Sequence, residues 1–269
     1  MTKSYRLGNY RFQIKSSDKA LSTSIGSLFE EYSIDVDKDP LSLIDIDLPL
    51  NIVPGWDEVV AEASGLEIVR LIVRRALNYH HDFFWLDAAT LVSPTGKLVL
   101  IAGPSHSGKS TAATALAFGH GWKLLAEDVS LVDPSNHRLI PFSSPLSLRE
   151  GSLERIKKAT GVLPAPVVGD EWIAMKNHLH ANTIDFKLDL AIALDVTDGQ
   201  HDDILSTTEV TPLKLMHSLL PLCNAIHLNN GIELLEQSLA KATCYKVSGG
   251  SLKERLQFIA GCTGEKLSI

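Results

Sequence analysis

Apolar and polar positions alternate at two places near the start of the chain. Tyr10, Phe12 and Ile14 alternate with Arg11 and Gln13, the period of a half-buried strand. Ile44, Ile46 and Leu48 alternate with Asp45 and Asp47 in the same way. Leu66, Val69, Val73, Ala76 and Leu77 then recur at helical spacing. Residues 1–86 therefore read as a β-rich part with one helix, a candidate for substrate recognition. No Pro/Gly-rich linker marks its end, and no internal repeat or low-complexity segment is present.

From Asp87 the pattern changes. Ala88–Val92 and Lys97–Ala102 read as strands around the turn Ser93-Pro94-Thr95-Gly96. A helix of small residues is predicted over Lys109–Phe118, stopped by Gly119 as its cap. Trp122–Ala126 and Val129–Val132 read as strands broken by Glu127-Asp128, and Asp133–Asn136 as a turn. Leu188–Val196 is a strongly apolar strand. Pro212–Leu222 is a helix with Thr211 as N-cap and Pro212 at its first position. Ile232–Ala242 is a further helix, Tyr245–Val247 a short strand and Leu252–Ala260 a closing helix. Strands alternating with helices argue for an α/β core over residues 87–269.

Composition narrows the class. In 269 residues, 45% are hydrophobic and 21% charged, the balance of an ordinary globular protein. The net charge of −7 argues against a nucleic-acid partner. No apolar run approaches the ~20 residues of a membrane span, and the first residues carry charges where a signal peptide needs an apolar stretch. The expectation is a cytoplasmic protein with no membrane partner. Cys223, Cys244 and Cys262 are scattered and odd in number, so they read as buried thiols.

One motif carries chemistry. Gly103-x-x-x-x-Gly108-Lys109-Ser110 matches the Walker A pattern at every fixed position, between a predicted strand and a predicted helix. Glycines let backbone N–H groups approach phosphates, and the helix N-terminus adds partial positive charge. Lys109 suits the β- and γ-phosphates, the Ser110 hydroxyl suits Mg²⁺, and Thr111 can donate a further bond. The candidate nucleotide-binding residues are Gly103, Ser105, His106, Ser107, Gly108, Lys109, Ser110 and Thr111. His106 is not a fixed motif position and is expected to face solvent.

Glu127-Asp128 follows soon after. A short connection would make its strand a neighbour of the Lys97–Ala102 strand, with the acids at its C-terminal end beside the phosphates. Adjacent residues on a strand point to opposite sides. One acid could then face Mg²⁺, with Ser110, and the other an acceptor hydroxyl.

The block "LVLIAGPSHSGKSTAATALAFGHGWKLLAEDVSLVD", Leu98–Asp133, resembles the catalytic core of HPr kinase/phosphorylase and its HPr-kinase-like relatives. "IPFSSPLSLRE", "LDLAIALDVTDGQ" and the Thr211-Pro212 helix resemble later elements of that group more loosely. The resemblance implies an ATP- and Mg²⁺-dependent protein-serine kinase with a fold related to phosphoenolpyruvate carboxykinase. It implies that Glu127, where Asp is usual, acts as base towards the serine hydroxyl, and that Asp128 serves the metal. Asp87 stands about where a supporting His is usual, and is the third catalytic candidate. That difference leaves phosphorylase activity open. The glycine-rich segment typical after the acidic pair is not evident, which argues against HPr as acceptor. The short N-terminal part fits the relatives that phosphorylate a serine of a lasso-peptide precursor, so a peptide or protein serine is the expected partner. Two rival readings stay open, a nucleotide-dependent binding module and a small-molecule kinase. A homo-oligomer also stays open.

Arg149 reads either as a residue steadying transferred phosphate charge or as an exposed charge near a helix start. His178 with His180, and His80-His81-Asp82, lack the further ligands a metal site needs. Gly161–Trp172 reads as a surface loop.

Overall fold

In a computed structural model, the described residues are 4–15, 23, 26–34, 42–45, 72–73, 76–77, 79–142, 146–148, 151–164, 166–168, 172–173, 182–195 and 204–267. In chain order the strands and helices begin with β1 (Ser4–Leu7), β2 (Tyr10–Lys15), β3 (Ser33–Ile34) and β4 (Ser42–Asp45). Then come β5 (Phe84–Val92), β6 (Leu98–Ala102), α1 (Lys109–His120), β7 (Lys123–Ala126), β8 (Val129–Asp133) and β9 (Arg138–Ile140). β10 (Leu146–Ser147), α2 (Ser152–Thr160), β11 (Pro166–Val168), β12 (Trp172–Ile173) and β13 (Ile184–Asp185) follow. The chain continues through β14 (Leu190–Leu194), β15 (Ser206–Val210), α3 (Pro212–Leu219), α4 (Gly231–Leu239), β16 (Thr243–Ser248) and α5 (Leu252–Thr263). No helix among the described residues is long and apolar enough to cross a membrane.

The chain divides into two compact units. The first comprises Met1–His81, Pro145–Ser147 and Ala165–Asn177. Its larger sheet has the order β3-β1-β2-β4, with β2 parallel to β4 and the other pairs antiparallel. The predicted alternation holds: Tyr10 and Phe12 are buried, while Arg11 and Gln13 are partly exposed. Phe12 stacks on Tyr5 and meets Phe29 edge-on, both with centroids 5.5 Å apart. Val73, Ala76 and Leu77 are helical; Leu66 and Val69 of the predicted helix, and Ile46 and Leu48 of the predicted strand, lie outside the described residues. β11 lies within Gly161–Trp172, where the sequence reads as loop, and pairs with β12, which begins at Trp172.

The second unit comprises Asp82–Ser144, Leu148–Pro164 and His178–Ile269. It is a mixed α/β structure around a nine-stranded sheet, order β13-β9-β8-β5-β6-β14-β16-β15, with β7 also on β5. β6, β14 and β16 run parallel, and β5 runs against β6. All five residues of β6 are buried, as a strand covered on both faces requires. Leu98, Leu100, Ala102, Ala191 and Ala193 share a core with Leu215 and Leu219 of α3 and Leu234, Leu235 and Leu239 of α4. The alternate residues of β6, Val99 and Ile101, fall on the opposite face. Helix α1 packs on β5, β6, β7, α2 and α5.

Several elements differ from the sequence reading. α1 runs through Gly119 to His120, and Gly121 is its cap. Gly119 serves packing instead: a β-carbon there would lie 2.7 Å from Cβ and Cγ2 of Thr160 on α2. β7 is not a neighbour of β6. It pairs antiparallel with β5, because the two edges of β6 are taken by β5 and β14. β5 begins at Phe84, and its first residues pair with β8. Thr211 caps α3 as predicted, accepting from Lys214 N at 3.3 Å, but the α-helix ends at Leu219. Pro221, which lacks an N–H, falls in the 3-10 turn that follows. The sequence reading also misses α2, whose Ile156 and Ala159 are buried at helical spacing, and the exposed edge strand β15, which carries no apolar alternation. Cys223 and Cys244 are buried, but Cys262 is exposed near the end of α5.

Candidate active site

The site begins where β6 ends. The tight turn Ser93–Gly96 returns β5 as β6, with Gly96 N donating to Ser93 O at 2.8 Å. β6 then delivers the chain to Gly103, whose φ is 155°. A β-carbon at Gly103 would lie 2.5 Å from Leu194 O and 2.7 Å from Ser107 Oγ, so the close approach of loop and β14 requires glycine. Ser107 N donates to Pro104 O at 3.1 Å and tightens the loop. Gly108, left-handed at φ 96°, leads into α1 without any side-chain cap. The first N–H groups of α1 therefore meet no capping side chain.

Lys109 turns back over this loop. Its Nζ donates to Gly103 O at 2.7 Å and Pro104 O at 3.3 Å. It also lies 2.9 Å from Asp87 Oδ1, with 7% of its side chain exposed against 35% for Asp87. A buried ammonium needs such partners. Strand register supplies the acid: Ala88 stands opposite Ala102, which brings Asp87 level with Gly103.

Glu127 reaches the same place from another direction. Thr90 stands opposite Ala126, so the bend after β7 lies beside the stretch of β5 that leads to Asp87. Glu127 is buried, whereas Asp128 is exposed, so the two acids do separate at the break between β7 and β8. Burial, and next the charge of Asp128, push the Glu127 carboxyl up to about 7, with Asp87 adding to the rise. A hydrogen bond from the Ser110 hydroxyl and the charge of Lys109 oppose it. Asp87, Lys109, Ser110 and Glu127 thus form one electrostatic group at the start of α1.

The remaining loop residues divide. Ser105 and His106 are exposed, and His106 takes a left-handed φ of 74°. Ser107 is buried and its Oγ has no hydrogen-bond partner. Thr111 is turned towards α2, where its hydroxyl donates to Ser152 Oγ at 3.4 Å. Among the described residues, no three His, Cys, Asp or Glu side chains group as metal ligands. Arg149, His178 and His180 lie outside the described residues. His80 is a core residue: Asn9 N donates to its Nε2 at 3.0 Å, and its Nδ1 lies 2.6 Å from Ala76 O.

One residue at the loop escapes any sequence reading. Arg255 of α5 donates from Nη1 to Ser107 O at 3.0 Å. It is one charged residue within a helix, and no motif or spacing in the sequence singles it out.

No family model matches the chain, and no curated protein matches it in sequence. Among solved structures the chain is similar to the HPr(Ser) kinase/phosphatase from Coxiella burnetii. The two are 16% identical, the match covers 67% of this chain and 93% of that one, and the TM-score is 0.32.

Proposed function

We propose that this protein is a serine kinase of the HPr-kinase-like type, with ATP as phosphoryl donor. The observation that carries the reading is the convergence of Lys109, Ser110, Glu127 and Asp87 at the uncapped start of a helix that follows a Gly-x-x-x-x-Gly-Lys-Ser loop. Uncapped N–H groups, a buried Ser107 hydroxyl without a partner and a lysine suit a polyphosphate. Ser110 and Asp128 offer the hydroxyl and carboxylate oxygens that suit Mg²⁺, which when bound neutralises phosphate charge.

The reaction moves the γ-phosphoryl group of ATP to a serine hydroxyl. The serine oxygen forms a bond to phosphorus, the bond to the ADP oxygen breaks, and the serine proton passes to Glu127. A carboxyl poised near 7 is matched to that task, since it is substantially ionised at neutral pH and still basic enough to take a proton. Lys109 balances the charge of the phosphates, and Asp87 holds Lys109.

The acceptor we propose is a serine of a short flexible peptide, a ribosomal precursor of the lasso type. Such a chain can bring its hydroxyl to Glu127 without a large docking surface, at the cost of ordering on binding. The test is mass spectrometry after incubation with ATP·Mg²⁺ of three acceptors: a serine-ended precursor peptide, HPr and free serine. A gain of one phosphate on the peptide alone is expected. A gain on HPr or free serine without the peptide overturns the acceptor, and no gain on any overturns the kinase in favour of a nucleotide-dependent binding module.

A further inference from the structure

The phosphate-type loop is held from outside by a side chain that lies beyond its motif. Arg255 Nη1 donates to Ser107 O at 3.0 Å, and Nε donates to Gly249 O at 2.7 Å. The start of α5 is fixed by a capping box, in which Ser251 and Glu254 exchange bonds between side chain and backbone. Arg255 is the next residue. Before it, Gly249 and Gly250 turn with φ of 62° and 73°. One guanidinium therefore ties the turn ahead of α5 to the loop ahead of α1. Its donors form a rigid planar fork, and a lysine ammonium could not hold the same two directions.

The consequence falls on the next N–H group. The Ser107 carbonyl and the Gly108 N–H belong to one planar trans unit, so they point in opposite directions. Holding the carbonyl against α5 aims the Gly108 N–H away from α5. Arg255 stands close enough that a β-carbon at Gly108 would lie 3.5 Å from Nη1.

We infer that Arg255 is a positioning residue for the triphosphate: it orients the Ser107–Gly108 peptide so that its N–H faces the phosphates, and it sets a cation behind the loop. This rests on reading the loop as a nucleotide site. Burial lowers the pKa of Arg255, but a guanidinium remains a cation at any working pH.

The test uses the full chain and the variants Arg255→Lys, which keeps the charge, and Arg255→Gln, which removes it. Titration calorimetry with ATP·Mg²⁺ is expected to show about tenfold weaker binding for Arg255→Lys, the size of one charge-assisted hydrogen bond, and a larger loss for Arg255→Gln, which also removes the cation. Amide exchange over 103–108 without nucleotide should be faster in both than in the unaltered chain. A tie that merely holds α5 in place would lower the melting temperature yet leave the affinity of the folded variant unchanged, and that result overturns the inference. If the unaltered chain binds no ATP, the nucleotide reading itself falls, and the inference with it. If it binds and both folded variants bind equally well, Arg255 alone is refuted. Should Arg255→Gln fail to fold, Arg255→Lys decides.

Discussion

Lys109 Nζ lies 2.9 Å from Asp87 Oδ1, and this pair joins the first residue of a helix to a strand that precedes the loop. The hairpin register between β5 and β6 produces it, since Ala88 is held opposite Ala102. The ammonium is nearly enclosed, and its other described partners are carbonyls of its own loop. The pair therefore bears on stability and on the charge at the proposed nucleotide site.

Replacing the cation tests the ligand side. Lys109→Ala is expected to weaken ATP·Mg²⁺ binding about 100-fold, the scale of one or two charge-assisted bonds. Titration calorimetry reads this directly, and unchanged affinity would remove the nucleotide site from the reading.

Replacing the acid tests the stability side. Asp87→Asn takes the paired carboxylate away from the buried Lys109 ammonium, leaving the loop carbonyls and the nearby Glu127. With Asp87 one-third exposed and solvent screening the pair, the cost is about 1–2 kcal/mol. Scanning calorimetry should show a melting temperature lower by several degrees. An unchanged value would mean that Lys109 is satisfied without the Asp87 carboxylate.

Glu127 makes the protein sensitive to pH in a defined direction. Its folded carboxyl titrates near 7, above the ordinary 4.5, so the folded state holds this proton more tightly than the unfolded state. The contribution is fully present below about pH 4.5 and is lost as pH rises through 7. Glu127→Gln, neutral at every pH, should therefore be more stable than the unaltered chain at pH 8, by up to about 3 kcal/mol. Denaturant titrations at pH 5 and pH 8 measure the difference, and a gap that shrinks as pH rises contradicts it. In transfer assays the unaltered chain should gain activity as pH rises through about 7, while Glu127→Gln binds ATP and transfers nothing.

Gly103 tests the loop backbone. An alanine there places its methyl 2.5 Å from Leu194 O, a backbone atom that cannot step aside. Gly103→Ala is expected to cost about 3 kcal/mol or more, through steric clash and a φ that side chains rarely adopt. Equilibrium unfolding checks this, and a loss below about 0.5 kcal/mol, the scale of a neutral surface change, would contradict the close packing of loop and β14.

Much of the second unit was legible in the chain. Leu98–Ala102, the glycine loop and the helix after it follow one another with local signals: an apolar run, fixed spacing and small residues. Thr211-Pro212 marked its helix start for the same reason. Boundaries set by packing were not legible. Gly119 looks like a helix stop, yet it lies within the helix, packed close against Thr160, while Gly121 in the left-handed conformation ends it. Ser206–Val210 is an edge strand with one paired side, so no apolar alternation betrays it.

The sequence by itself determined the Gly-x-x-x-x-Gly-Lys-Ser loop between a strand and a helix, since that pattern depends on residues that are neighbours in the chain. It also placed two acids soon after that loop. The tertiary structure alone decided how they meet. β7 reaches the site across β5 rather than beside β6, Glu127 is buried while Asp128 is exposed, and Asp87 pairs with Lys109. Arg255 touches Ser107 across 148 positions of chain. Strand register and helix packing bring such residues together, and those contacts leave no spacing in the sequence because each partner is set by a different element.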